Sequence, residues 1–142
     1  MLSKKISGLS GVSLLLLRLA LVSIFLFHGL PKALNWTMAS EKFVNMGFAA
    51  FWGPVVGILE VAAAALILIG LWTTFASLIL GVIIAVALIG VQIPGAMKAA
   101  EAAGQAFTLT AGLERDLLIF TGILVLMAFG AGALSVTGNS KE

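Results

Sequence analysis

The chain has 142 residues, 61% of them hydrophobic and only 10% charged, with a formal net charge of +2. A soluble domain usually carries about 25% charged residues, and about 20 apolar residues cross a bilayer core as a helix. This length therefore suits four short-looped spans and leaves no room for a soluble domain beside them. The eight Lys and Arg are scattered rather than clustered, which speaks against nucleic acid as a partner. Cysteine is absent, which removes disulfides, thiolate nucleophiles and iron–sulfur ligation. With a single histidine, His28, one chain cannot hold a haem between two imidazoles. No tightly bound metal or haem is expected.

The first apolar run, residues 12–30, follows Lys4 and Lys5. It exceeds the about 7–15 residues of a signal-peptide core and lacks a nearby small-residue cleavage site, so it reads as a retained span. The connection over residues 31–53 carries Trp36, Phe43, Met46, Phe48, Phe51 and Trp52, with Ser40 placed to cap a short helix. Two readings stay open for it: an anchor at headgroup level, or a lid over a site. The second span covers residues 54–72 and the third 75–93, joined only by the turn at Trp72-Thr73-Thr74, so the two must be antiparallel neighbours. Pro94-Gly95 is expected to end or kink the third span. The alanine-rich connection over residues 94–115 should be helical in part, and the fourth span covers 117–134. Four spans return the chain, so both long connections share one face. Lys4 and Lys5 favour cytoplasmic termini in a multi-pass protein of the cell inner membrane. The predicted fold is an all-α membrane four-helix bundle forming one domain.

Charges inside such spans cost about 2.5–3.5 kcal/mol each on insertion scales and usually face a protein interior. Two lie deep, Arg18 and Glu60, with His28 near the outer end of the first span and Glu114-Arg115-Asp116 opening the fourth. At about 100° per residue, Phe25, Gly29 and Lys32 fall on the face of Arg18, with His28 beside it. Glu60 shares its face with Gly53, Gly57, Ala63 and Ala64, small residues that let a neighbouring helix approach and take the carboxylate away from lipid. Either Arg18 and Glu60 form a buried ion pair that fixes helix register, or they line a polar pocket with His28. Glu114 satisfies a helix N-terminus on its own or joins that pocket. Gln92 is a further hydrogen-bonding candidate, expected to pair with backbone.

Several stretches together resemble the DoxX/DoxD-like family of small membrane proteins. They are Arg18-Leu19-Ala20, Phe25 to Lys32 with its His28-Gly29-Leu30-Pro31-Lys32 core, Gly57-Ile58-Leu59-Glu60, the run Leu66 to Leu71, and Gly112-Leu113-Glu114. The chain departs from the family pattern at Thr74, where an arginine is frequent, and at Val136-Thr137, where an acidic residue is. The resemblance implies a four-helix bundle whose members are associated with quinol oxidases, thiosulfate:quinone oxidoreductases or redox-stress complexes. Fold alone does not settle function.

On that reading the chain is a quinone- or quinol-interacting accessory subunit of a membrane oxidoreductase. Arg18, His28, Glu60, Glu114 and Gln92 would serve the quinone head, and the tail would enter past the Gly/Ala-rich face of the second span. The chain has no redox centre of its own, so electrons would come from a protein partner in a membrane or periplasmic complex. A non-catalytic scaffold for such a complex, and a small-solute or proton-linked conduit formed by a homo-oligomer, are the alternatives.

Overall fold

A computed structural model describes residues 2–132 and 134–136, and side chains from Ser10 onward. The side chains of Lys4 and Lys5, on which the expected orientation rests, and Thr137 lie outside the described residues. Among those described every regular element is a helix, with no strand: α1 Leu2–Leu34, α2 Trp36–Asn45, α3 Trp52–Ile69, α4 Thr73–Ala87, a π-helical turn Leu88–Gln92, α5 Ile93–Ala102 and α6 Ala111–Phe129. Three stretches are long and apolar enough to cross a membrane: Ser10–Leu34, Trp52–Ile69 and Thr73–Ala102. The fourth bundle helix, α6, carries Glu114, Arg115 and Asp116 in its first two turns, and is set less deeply in apolar sequence than the other three.

The bundle core lies between α1, α3, α4 and α6, built from residues such as Phe25, Ala64, Ile67, Leu80, Ile123 and Leu126. Helix α1 packs chiefly on α3, and α4 on α6. The expected small-residue face of α3 is the buried one: Gly53, Gly57, Glu60, Ala63 and Ala64 all point inward. At the α3–α4 turn Gly70 adopts φ 75° and caps the helix, its N–H donating to the carbonyl of Ile67 and that of Leu71 to Leu66. A left-handed residue followed by backbone bonds to the preceding turn is how a helix ends on glycine.

Several boundaries differ from the sequence-based expectation. Ser40 does not cap α2 but lies within it; Asn35 is the cap, its side chain accepting from Met38 N at 3.0 Å. Pro94 does not end the third span. The π-helical turn before it widens the backbone where the proline ring would crowd the preceding carbonyl, and helix resumes through Ala102. The fourth span is shifted towards the N-terminus: Thr110 caps α6, accepting from Leu113 N, and Gly130 ends it at φ 68°.

Candidate functional site

Arg18 and Glu60, both buried as expected, do not form a pair with each other. The Arg18 guanidinium donates from Nε to Ile67 O at 2.9 Å, from Nη2 to Leu68 O at 2.6 Å, and from Nη1 to Ala131 O at 3.1 Å and Leu134 O at 2.8 Å. Helix C-termini leave four carbonyls without intrahelical donors and carry partial negative charge. In α3 those of Leu66 and Ile67 meet the Gly70–Leu71 cap, Ile67 and Leu68 meet Arg18, and Ile69 receives Val136 N at 3.2 Å. Backbone carbonyls therefore balance the arginine, and it ties the end of α3 to the segment following α6. The expected Arg18–Glu60 pair is corrected: a helix terminus meets the cation's need, and Glu60 lies seven residues away along α3, about 10 Å at 1.5 Å per residue.

The partner of Glu60 is Lys32, with Nζ 2.5 Å from Oε2 and both side chains largely buried. The geometry that joins them is reciprocal across two antiparallel helices. A Cβ added at Gly29 would stand 2.9 Å from Glu60 Cβ, and one at Gly57 would stand 2.6 Å from Lys32 Cβ and 2.7 Å from Ala33 N. Each glycine, three residues from a charged one on its own helix, thus makes the space that the opposite charge occupies. Such close approach is what small interfacial residues allow. The sequence reading placed Lys32 on the polar stripe of α1 but did not nominate it for the site; its signal was the spacing of one helical turn from His28.

A second polar cluster lies across the bundle. Asp116, buried on α6, accepts from Gln92 Nε2 at 2.8 Å through Oδ2 and from Arg115 Nε at 2.8 Å through Oδ1. Gln92 therefore pairs with a side chain rather than with backbone, because the π-helical turn places it beside the start of α6. Gly112 faces the Gln92 amide, where a Cβ would collide with it. Asp116 and Arg115 were not singled out as site residues by sequence.

Between the clusters is a cavity of about 770 Å³, within the range of about 300–1,000 Å³ usual for small-molecule sites. Its polar lining is His28, Lys32, Lys42, Glu60, Gln92, Arg115 and Asp116; Phe43, Met46, Phe48 and Trp52 come from the α2 connection, and aliphatic side chains of α1, α3, α4 and α6 form the rest. Of the five residues nominated from sequence, His28, Glu60 and Gln92 are brought together here. Arg18 and Glu114 are not among the lining residues: Arg18 serves the opposite end of α3, and Glu114 is exposed in the first turn of α6, where its charge favours the helix N-terminus.

Apolar walls lead outward. Leu78, Val82 and Val86 line the cavity and are 48%, 56% and 50% exposed, so the wall continues into the outer face of α4. The expected route past the Gly/Ala face of α3 is closed, because that face is packed against α1. Within the aromatic connection, Phe43 and Phe48, with ring centroids 5.9 Å apart, line the cavity, whereas Trp36 and Phe51 stand exposed.

The DoxX family profile matches residues 13–93, a stretch that includes Arg18, the Gly29–Lys32 and Gly57–Glu60 crossing, and Gln92. The chain belongs to the DoxX family. No curated protein and no solved structure matches it.

Proposed function

We propose that this DoxX-family chain is a quinone- or quinol-binding subunit of a membrane oxidoreductase. The observation that carries the reading is the mixed chemistry of one cavity: seven polar side chains in its lining and an aliphatic wall that continues onto the exposed face of α4. A quinone has a matching mix, a ring whose two carbonyls accept hydrogen bonds and an isoprenoid tail that belongs in the bilayer. His28 is the one lining group that both donates and accepts through a neutral ring, and it is suited to exchange a proton with a bound head. The two carboxylates hold their cations in place, so that the donors stay oriented in an apolar setting. Electrons are supplied or removed by a partner protein, since the chain brings no redox centre.

The test is purification with native lipids retained, followed by mass spectrometry of the extracted small molecules and of co-purifying proteins. The proposal predicts stoichiometric quinone with the wild-type chain and its loss in Val82→Trp, which places an indole across the apolar opening. A stoichiometric protein partner without quinone would instead favour the scaffold reading.

A further inference from the structure

Helix α2 ends in a way that fixes the place of one aromatic ring. Gly47 follows it at φ 88°, a left-handed conformation that favours glycine. The Gly47 N–H donates to Val44 O at 2.9 Å, and the next N–H, that of Phe48, donates to Phe43 O at 2.9 Å. This pair of bonds is the Schellman ending, in which the residue after the glycine commonly packs back on the last turn of its own helix. Here those residues are Phe48 and Phe43, with ring centroids 5.9 Å apart.

From that position the Phe48 ring reaches a second helix. A Cβ added at Gly90 would stand 3.1 Å from Phe48 Cζ, so the ring tip rests on bare backbone of the π-helical turn Leu88–Gln92. Such turns are frequent at functional sites. Phe48 lines the cavity from the connection and Val91 and Gln92 line it from the turn, so the contact joins two of its walls. Lys42 and Arg115, also among the lining residues, stand exposed and are open to water, whereas Ala87 on the α4 wall is half-buried.

We propose that Phe48, seated on Gly90, is a side-chain gate that keeps water and polar solutes from the α4 wall of the cavity. The ring swings by a change of rotamer, while the Schellman bonds hold its backbone in place. A glycine at position 90 is what the seat requires, since any larger residue meets the ring tip. With the ring seated, the remaining way to that wall is the apolar surface that continues outward at Leu78, Val82 and Val86, and an occupant arrives from the bilayer rather than from solution. The gate acts on access alone, so it stands or falls apart from the quinone reading.

The experiment uses the absence of cysteine to place a single reporter, Ala87→Cys, on the cavity wall, about one helical turn from Gly90. In phosphatidylcholine nanodiscs its reaction rate is followed with two probes: the charged sulfonatoethyl methanethiosulfonate, confined to water, and the apolar N-phenylmaleimide, which partitions into lipid. Phe48→Ala and Gly90→Val should each speed the charged probe at least about tenfold, while the apolar probe changes by less than about twofold, as expected for one local opening. Phe48→Leu, which keeps an apolar contact with Phe43 but has a shorter reach, should fall between. Gly95→Ala, where nothing lies within 4 Å of the added methyl, should change neither rate. An unchanged charged-probe rate in either Phe48→Ala or Gly90→Val overturns the gate. Equal acceleration of both probes means a loosened bundle and overturns it too. So does a charged-probe rate at Ala87→Cys, with Phe48 intact, as fast as that at the exposed position Ala50→Cys.

Discussion

Buried charges set the chemistry of this bundle one residue at a time. Arg18 and Glu60 could be read from sequence as deep, inward-facing groups because no other Lys, Arg, Asp or Glu interrupts the apolar runs around them. Their partners could not. Sequence shows side-chain charges, and so suggests pairing a cation with an anion, whereas Arg18 is met by main-chain carbonyls that every residue has. Two predictions separate these arrangements. In a double-mutant cycle on thermal or chemical stability, Lys32→Met and Glu60→Gln should couple by more than about 1 kcal/mol, since removing one member of a buried pair alone typically costs about 3–5 kcal/mol. Arg18→Leu and Glu60→Gln should add within about 0.5 kcal/mol, as separated sites do. Secondly, Arg18→Lys should not rescue Arg18→Leu. An ammonium cannot reproduce the planar fork that reaches Ile67, Leu68, Ala131 and Leu134 together. Melting temperatures that return to wild type in Arg18→Lys would contradict that account.

At the scale of elements, the crossing of α1 and α3 is what brings Lys32 and Glu60 within reach. Its small-residue face was visible in the spacing of Gly53, Gly57, Ala63 and Ala64. Which residue each glycine admits was not visible, because that depends on the register between two helices. Gly29→Ala and Gly57→Ala should each destabilise by about 1–3 kcal/mol through overpacking, with Gly57→Ala the worse, since backbone of α1 at Ala33 N would stand 2.7 Å from the added methyl. Gly95→Ala is the control. Nothing lies within 4 Å of a methyl there, and a helical Gly→Ala replacement contributes up to about 1 kcal/mol of stability. A melting series in one detergent decides the order: Gly95→Ala at or above wild type, Gly29→Ala below, Gly57→Ala lowest. The π-helical turn could not be read from sequence either. Pro94 signals a disturbed helix, but both a stop and a widened turn relieve its clash, and it is from the widened turn that Gln92 reaches Asp116.

For the whole molecule, apolar run lengths were enough to locate the bundle helices, and the boundary errors, such as a fourth helix that begins at Ala111 rather than at 117, arose at ends where caps rather than hydropathy decide. The cavity was the least legible feature, because its polar residues come from five separate segments that only the packed bundle assembles. Topology follows from the helix order: Ser40 and Thr108 belong to the connections at one end and Thr74 to the first turn of α4 at the other. Cysteines introduced singly at Ser40 and Thr108 should react with a membrane-impermeant maleimide from the same side, and one at Thr74 only from the opposite side. Labelling of all three from one side would break the arrangement.

The most direct test of the central claim, that the cavity between α1, α3, α4 and α6 holds a quinone, is photoaffinity labelling of the purified chain in nanodiscs with an azidoquinone, followed by peptide mapping. The account predicts adducts confined to cavity-lining positions around His28, Phe43 to Phe48 and Val82 to Gln92, suppressed by excess unlabelled quinone and by Val82→Trp. Adducts spread over the outward faces of the helices, or labelling that excess quinone does not reduce, would contradict it.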